Sequence, residues 1–253
     1  MSFRYDLHLH SRASIDCDTP YRALAAMAKR RGLQGLAITD HDTLDGFERV
    51  REMWPEDLHL IAGCERTLFD KSHAIGLFIS RNLQSQTIRE LIPEIHEQGG
   101  LVYMPHPFRA YSGLLGVGSK HSENDQQWAL EQADIIEIFN RKCTAEENRL
   151  ALELLNHLPK AFAAASDAHF AHEIGFACTE FSAPLSPQYF RPVAAFAPPP
   201  EIAAELSSFR NGNISPLRAK TRDTLKALRL LDPAKSARNY LRRHRQPRLQ
   251  KYK

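Results

Sequence analysis

The histidines of DLHLH at 6–10 stand two residues apart, so on an extended strand His8 and His10 project from one face and can hold a single ion together. Alone the pair is weak evidence, because such spacings arise by chance in surface strands. TDHD at 39–42 adds Asp40 and His41 directly after the apolar run GLAI, and SDAH at 166–169 repeats the arrangement with Asp167 and His169 after AFAAA. Glu65 ends AGCE and His106 sits in MPHP. A buried polar group without a partner costs about 2–7 kcal/mol, so three strand ends crowded with such groups need bound metal or an extended hydrogen-bond network. With Glu65 and His106 added, metal is the stronger reading. Cysteine plays no part in it: Cys17, Cys64, Cys143 and Cys178 are far apart and form no CxxC pair, which suggests neither a disulfide framework nor a thiolate site.

The elements that must position these groups follow from periodicity. Apolar runs of strand length at 5–9, 35–39, 58–62, 74–78, 101–104, 135–139 and 161–165 alternate with helical patterns at 20–31, 43–53, 87–98 and 145–155. The first helix has Pro20 at its start, and the last has Thr144 as cap with Glu147 in the capping-box position. This alternation predicts a parallel sheet or barrel, and in a barrel the carboxyl ends of the strands open on one face where sites are assembled. The polar residues fall just after the strands, on that face. With 253 residues, 43% of them hydrophobic, the chain can bury one large core. It holds no 18-residue apolar run, and MSFRYDLHLH has no apolar stretch for secretion, so a cytoplasmic protein with no membrane partner is expected.

Taken in order, the motifs resemble those of the PHP (polymerase and histidinol phosphatase) metal-dependent phosphoesterases. They are DLHLHS at 6–11, GLAITDHDTLDG at 35–46, AGCE at 62–65, HAIGLF at 73–78, GGLVYMPHPF at 99–108, IEIFNRK at 136–142 and SDAHFAHEIG at 166–175. The resemblance covers about residues 5–180 and implies an α/β fold, a distorted (β/α)7 barrel, holding two to three divalent ions (Mn, Fe or Zn). By motif, a first ion takes His8, His10 and Asp167, with Glu65 bridging to a second that takes His73 and His106. A third takes Asp16, His41 and His169; SIDCD leaves Asp18 as a competitor of Asp16. Mixed oxygen and imidazole ligands do not select strongly among these metals.

The implied chemistry is hydrolysis of a phosphate ester of a nucleotide, oligonucleotide or small metabolite, because clustered divalent ions acidify water and hold phosphate for in-line attack. Asp40, His41, His169, Arg109 and Arg141 are the expected catalytic residues. Asp40 reads as an orienter of ligands, and Arg109 and Arg141 as neutralisers of phosphoryl charge. Asn140, Arg109, Arg141 and His172 are the expected substrate contacts. His59, His96, His121, His157 and His244 lie outside the motifs and read as ordinary packing or surface residues. Glycines 113, 116 and 118 lack the phosphate-loop pattern and read as a mobile loop. A non-catalytic scaffold or nucleic-acid-binding module is the alternative, marked by lost ligands; here every ligand position is filled. Histidinol phosphate is the less favoured substrate.

The expected organisation is a barrel at 1–182, a Pro-rich wrapping segment at 183–214 with six of the fifteen prolines in 183–200, and a C-terminal basic helical extension at 215–253. That tail carries 13 Lys/Arg against two acids, leaving 20 basic and 28 acidic side chains before it. Two roles are open for it: docking on the acidic barrel, or holding nucleic acid through its phosphates. Deleting 215–253 separates them. Recruitment requires that oligonucleotide turnover fall, with a weaker salt dependence, while p-nitrophenyl phosphate hydrolysis is unchanged. Equal losses on both substrates identify a structural tail.

Overall fold

Nine short strands share one sheet among the described residues, in the order β7-β6-β5-β4-β3-β2-β1-β8-β9. The strands are β1 (Phe3–Asp6), β2 (Gly35–Ile38), β3 (His59–Thr67), β4 (His73–Leu77), β5 (Leu101–Met104), β6 (Ile135–Asn140), β7 (Ala161–Ala165), β8 (Thr179–Phe181) and β9 (Pro192–Ala194). Five helices intervene: α1 (Tyr21–Arg30), α2 (Asp45–Val50), α3 (Ile88–Glu97), α4 (Glu123–Gln132) and α5 (Ala145–Leu154). The computed structural model describes residues 2–154, 158, 160–188, 190 and 192–194. The basic tail at 215–253, the rest of the Pro-rich segment, His157 and His244 lie outside the described residues.

The local signals act as the sequence requires. All four residues of β2 are buried, as expected for a strand covered on both faces. On α3, Ile88, Leu91, Ile92 and Ile95 form one buried stripe at helical spacing. The capping box before α5 is formed: Thr144 N donates to Glu147 Oε2 at 2.8 Å and Glu147 N donates to Thr144 Oγ1 at 3.2 Å. Helix α4 escapes the periodicity because what it buries is mixed, Gln126 with Ala129 and Leu130. Its start is nonetheless marked by Ser122, whose side chain accepts from Asp125 N at 3.1 Å.

The sheet departs from uniform parallel order at one place that matters. β1, β2 and β3 are parallel, as are β5, β6 and β7, but β4 runs antiparallel to both β3 and β5. Residues 68–72 are too few for a crossover, so the chain must turn back as a hairpin. His73 at the start of β4 therefore sits at the same barrel end as the carboxyl ends of the parallel strands. The chain also leaves the β1 ladder at Asp6, earlier than the apolar run to Leu9 predicts, yet it stays pinned on both sides. Thr39 N donates to Leu9 O at 2.9 Å, His10 N to Ala168 O at 2.9 Å, and Asp167 N to His8 O at 2.8 Å. These bonds nearly close the barrel between its first and seventh strands, and β8 adds antiparallel to β1.

Inside the barrel, Tyr5, Leu7, Ala37, Ile61, Ile75, Leu77, Tyr103, Ala163 and Phe181 pack as one cluster that also includes Leu185. Barrel packing thus continues past the boundary expected at 182, and β9 gives the following segment a regular element that its prolines do not advertise. No helix among the described residues is long and apolar enough to cross a membrane.

Asp6 fastens the closure. Its buried carboxylate accepts from Ser166 N at 3.1 Å, Ser166 Oγ at 2.5 Å and Gly175 N at 2.9 Å, the last from a glycine with φ of 74°. Burial, opposed by these bonds, pushes the Asp6 carboxyl up to about 6. A carboxyl raised in the folded state binds its proton more tightly there, so its contribution to stability is largest at low pH and falls as pH rises through about 6. Asp6→Ala should therefore cost more near pH 4 than near pH 8, by roughly 2–3 kcal/mol. The deficit should shrink toward pH 8 in urea unfolding; a pH-independent deficit contradicts this.

Candidate metal centre

Glu65 is the hub on which the site is built. It is 1% exposed and lies within β3, opposite Ile75 of β4, with the β3–β4 hairpin presenting it to the barrel end. Its two oxygens face two sets of imidazoles. Oε2 lies 3.3 Å from His8 Nε2, 3.2 Å from His10 Nε2 and 3.5 Å from His41 Nδ1. Oε1 lies 2.9 Å from His73 Nδ1 and 3.1 Å from His106 Nε2. Asp167 Oδ1 completes the first set at 3.6 Å from His8 Nε2 and 3.4 Å from His10 Nε2. A third grouping forms at the rim, where Asp16 Oδ2 is 3.1 Å from His169 Nε2 and 3.5 Å from His41 Nε2. Asp16 rather than Asp18 meets these imidazoles. Nitrogens of His10, His41 and His169 also lie within 4.8 Å of one another.

Hydrogen bonds behind the cluster select which nitrogen each ring presents. His8 Nδ1 is 3.1 Å from Glu137 Oε1, and His10 Nδ1 is 3.1 Å from Ser14 Oγ. Ser14 in turn donates to Asp40 Oδ1 at 2.9 Å, so its hydroxyl is an acceptor toward His10. Both rings are therefore tied down through Nδ1 and aim Nε2 at the carboxylates. Asp40 touches no other member of the cluster; it accepts from Ser11 N at 2.7 Å and Ser11 Oγ at 2.6 Å and acts through Ser14, as an orienter should. Gly46 makes room for it, since a Cβ there would fall 1.9 Å from Asp40 Oδ2.

Glu137 was missed by sequence reasoning. Completely buried on β6, it accepts from Tyr103 OH at 2.7 Å, His106 N at 2.5 Å and Asn140 Nδ2 at 3.0 Å besides holding His8. The available signal was an acid inside the apolar run IIEIF, which a buried strand tolerates only with donors around it. Two members of the cluster hold left-handed backbone that non-glycine residues rarely adopt, His106 at φ 27° and Asp167 at φ 51°. Such conformations persist where surrounding bonds over-determine them.

The electrostatics favour cations. Burial alone would raise the Glu65 and Asp167 carboxyls, yet the imidazoles around them hold both well below the usual range. Burial also works against a charged His10, but the Asp167 and Glu65 carboxylates beside it outweigh burial and lift the ring to about 9. His8 is driven up against burial by Glu65, Asp167 and Glu137. His41 goes down through burial, opposed by Glu65 and helped by its neighbours His10 and His73. Meanwhile His8 Nε2 and His10 Nε2 are buried with no hydrogen-bond partner, although carboxylate oxygens stand nearby. Bare nitrogens converging with buried carboxylates are a donor set that fits divalent ions, which replace the protons the acids otherwise attract.

The remaining expected residues divide. Arg109 is at the centre, its NH1 2.8 Å from Asp167 Oδ2 and its side chain 34% exposed. Arg141 is exposed, with its guanidinium 5.9 Å from the Phe176 ring centroid. Asn140 is 1% exposed, and its amide is spent on Glu137 and on Asp167 Oδ2 at 3.2 Å, which sets it beneath the cluster. His172 is exposed and stacks on Phe170. Of the other histidines, His121 meets Ser72 Oγ at 3.0 Å and Asp70, bonding the Gly113–Gly118 loop region to the segment before His73.

A near-closed α/β barrel with clustered imidazoles and carboxylates at one end defines the class of α/β barrels with a candidate metal centre. The chain belongs to the PHP domain family, whose model matches residues 6–173. It is 29% identical to an uncharacterized protein of Methanocaldococcus jannaschii over 181 residues, covering 71% of this chain and 70% of that one. In three dimensions it is similar to a two-domain protein of Bacteroides vulgatus containing a predicted PHP-like metal-dependent phosphoesterase, with a TM-score of 0.59 at 20% identity over 71% of this chain. It is likewise similar to endonuclease Q, seen in complex with a 27-mer duplex bearing an abasic lesion, with a TM-score of 0.60 at 17% identity over 74% of this chain. The chain spans 58% and 54% of those two structures.

Glu137→Gln tests the support of the cluster. Glutamine offers one acceptor oxygen where four donors converge, so manganese affinity should fall about 10- to 100-fold in a competition titration. An unchanged affinity contradicts the role given to Glu137.

Proposed function

We propose that the protein is a metal-dependent phosphoesterase that hydrolyses a phosphate ester of a nucleotide, oligonucleotide or small metabolite, using two to three divalent ions of Mn, Fe or Zn. One observation carries the reading: the Glu65 carboxylate divides between two imidazole sets, with a third set at Asp16. His8, His10 and Asp167 with Glu65 would hold one ion, Glu65 with His73 and His106 a second, and Asp16 with His41 and His169 a third. When bound, such ions acidify water and polarise a phosphoryl oxygen.

The chain's own groups supply the rest. Asn140 and Arg109 fix Asp167 from two sides, and Arg109 remains exposed enough to neutralise a non-bridging phosphate oxygen. Arg141, exposed just after β6, is the second candidate for that task. Substrate approaches from the side of His41, His73 and His169, whose side chains are 18%, 17% and 17% exposed against none for His8 and His10. Asp40 keeps His10 in the required tautomer through Ser14. The likeness to endonuclease Q and the 13 basic residues of the tail support a nucleic-acid substrate among the candidates. A non-catalytic scaffold is disfavoured because each ligand position holds a competent residue.

Elemental analysis of the purified protein should find two to three equivalents of these metals. His10→Ala and Asp167→Asn should each lower phosphate-ester hydrolysis more than about 100-fold while far-UV circular dichroism is retained, since a lost ligand exceeds the 10- to 100-fold of a supporting change. Less than one equivalent after reconstitution, or activity within about tenfold of wild type, rejects the proposal.

A further inference from the structure

Two large apolar side chains stand in solvent beside one pair of candidate ligands. Ile15 is fully exposed and precedes Asp16; Phe170 is 50% exposed and follows His169. Asp16 and His169 themselves meet at 3.1 Å, so the exposed residues flank the rim grouping from both chain segments. Isolated exposed hydrophobics need no explanation, but Phe170 is not isolated. The His172 ring lies nearly parallel to it, with centroids 5.9 Å apart and 23° between planes.

The platform is held by the same carboxylate that holds the ligand. Glu173 Oε2 accepts from His169 N at 3.0 Å and from Phe170 N at 3.2 Å, while its Oε1 pairs with Lys142 Nζ at 2.5 Å. Lys142 Nζ lies over the Phe170 ring, 5.8 Å from its centroid, so a cation and the His172 imidazole both meet the ring. These contacts at a half-exposed ring stabilise the fold only modestly, whereas a pre-positioned ring spares a ligand the ordering cost. Its place is the carboxyl end of β6 and β7, one residue from the rim imidazole on the side left open to substrate.

We infer that Phe170 and His172 form a stacking platform beside the metal centre that receives the planar base of a nucleoside phosphate whose phosphate is at the ions. The inference rests on the phosphoesterase reading and narrows its substrate class to nucleoside phosphates. Stacking is tolerant of base identity, since every base has a π-face, and a stacked aromatic contributes roughly 5- to 150-fold in affinity. An aliphatic phosphate gains little from such a surface.

Binding isothermal titration of the manganese-loaded full chain with AMP, ribose 5-phosphate and butyl phosphate tests it without requiring turnover. The wild type should bind AMP about tenfold or more tighter than ribose 5-phosphate. Phe170→Ala should abolish that preference while leaving ribose 5-phosphate affinity unchanged, which also reports an intact site, and Phe170→Trp should keep the preference. Equal affinities for AMP and ribose 5-phosphate in the wild type, no binding of AMP, or equal weakening of both by Phe170→Ala overturns the platform. So does a matching advantage for butyl phosphate, which would mark a merely apolar surface. A preference for AMP that depends on Phe170, in a protein that hydrolyses no phosphate ester, supports the platform and rejects the phosphoesterase reading instead.

Discussion

Burying the Glu65 carboxylate among five imidazoles is the constraint that the rest of the structure serves. A carboxylate removed from water costs several kcal/mol even after the surroundings relax, and that cost is met only by close positive charge. The two oxygens divide the imidazoles into His8, His10 and His41 on one side and His73 and His106 on the other. The five rings come from four segments, those of His8 with His10, His41, His73 and His106, so the charge is satisfied only when strands distant in sequence have come together. The site and the closure of the sheet are thus one event, with Asp167 N bonded to His8 O and His10 N to Ala168 O across the same seam.

Around that hub the structure spends its polar residues on orientation. Glu137 and Asp40 each collect several donors and each decide which nitrogen a histidine shows. Asn140 bridges Glu137 to Asp167, so a disturbance of one support is felt by ligands on both sides. Left-handed backbone at His106 and Asp167 has the same meaning, since local preference yields there to a geometry imposed by neighbours. Farther out, Glu173 and Lys142 extend this rigid support to Phe170, where the built framework meets solvent.

Much of this was legible in the chain. Most strand and helix positions follow from period, α4, β8 and β9 excepted, and the Thr144–Glu147 capping box is readable because both partners lie within one turn. The types and spacing of His8, His10, Asp40, His41, Asp167 and His169 announce a metal-binding end, because alternation on an extended segment places side chains without reference to the rest of the fold. Other features required the tertiary structure. The reversal of β4 brings His73 to the site from the start of a strand, a consequence of a short connection and of which edges it pairs with. Glu137 looks like an anomaly in an apolar strand until His8, Tyr103, His106 and Asn140 converge on it. Asn140 reads as a group for substrate and is instead buried under Asp167, for the same reason. Spacing determines which face a residue occupies on its own element; what that face meets depends on non-local closure, and in this barrel closure decides which acids and imidazoles share a single buried charge.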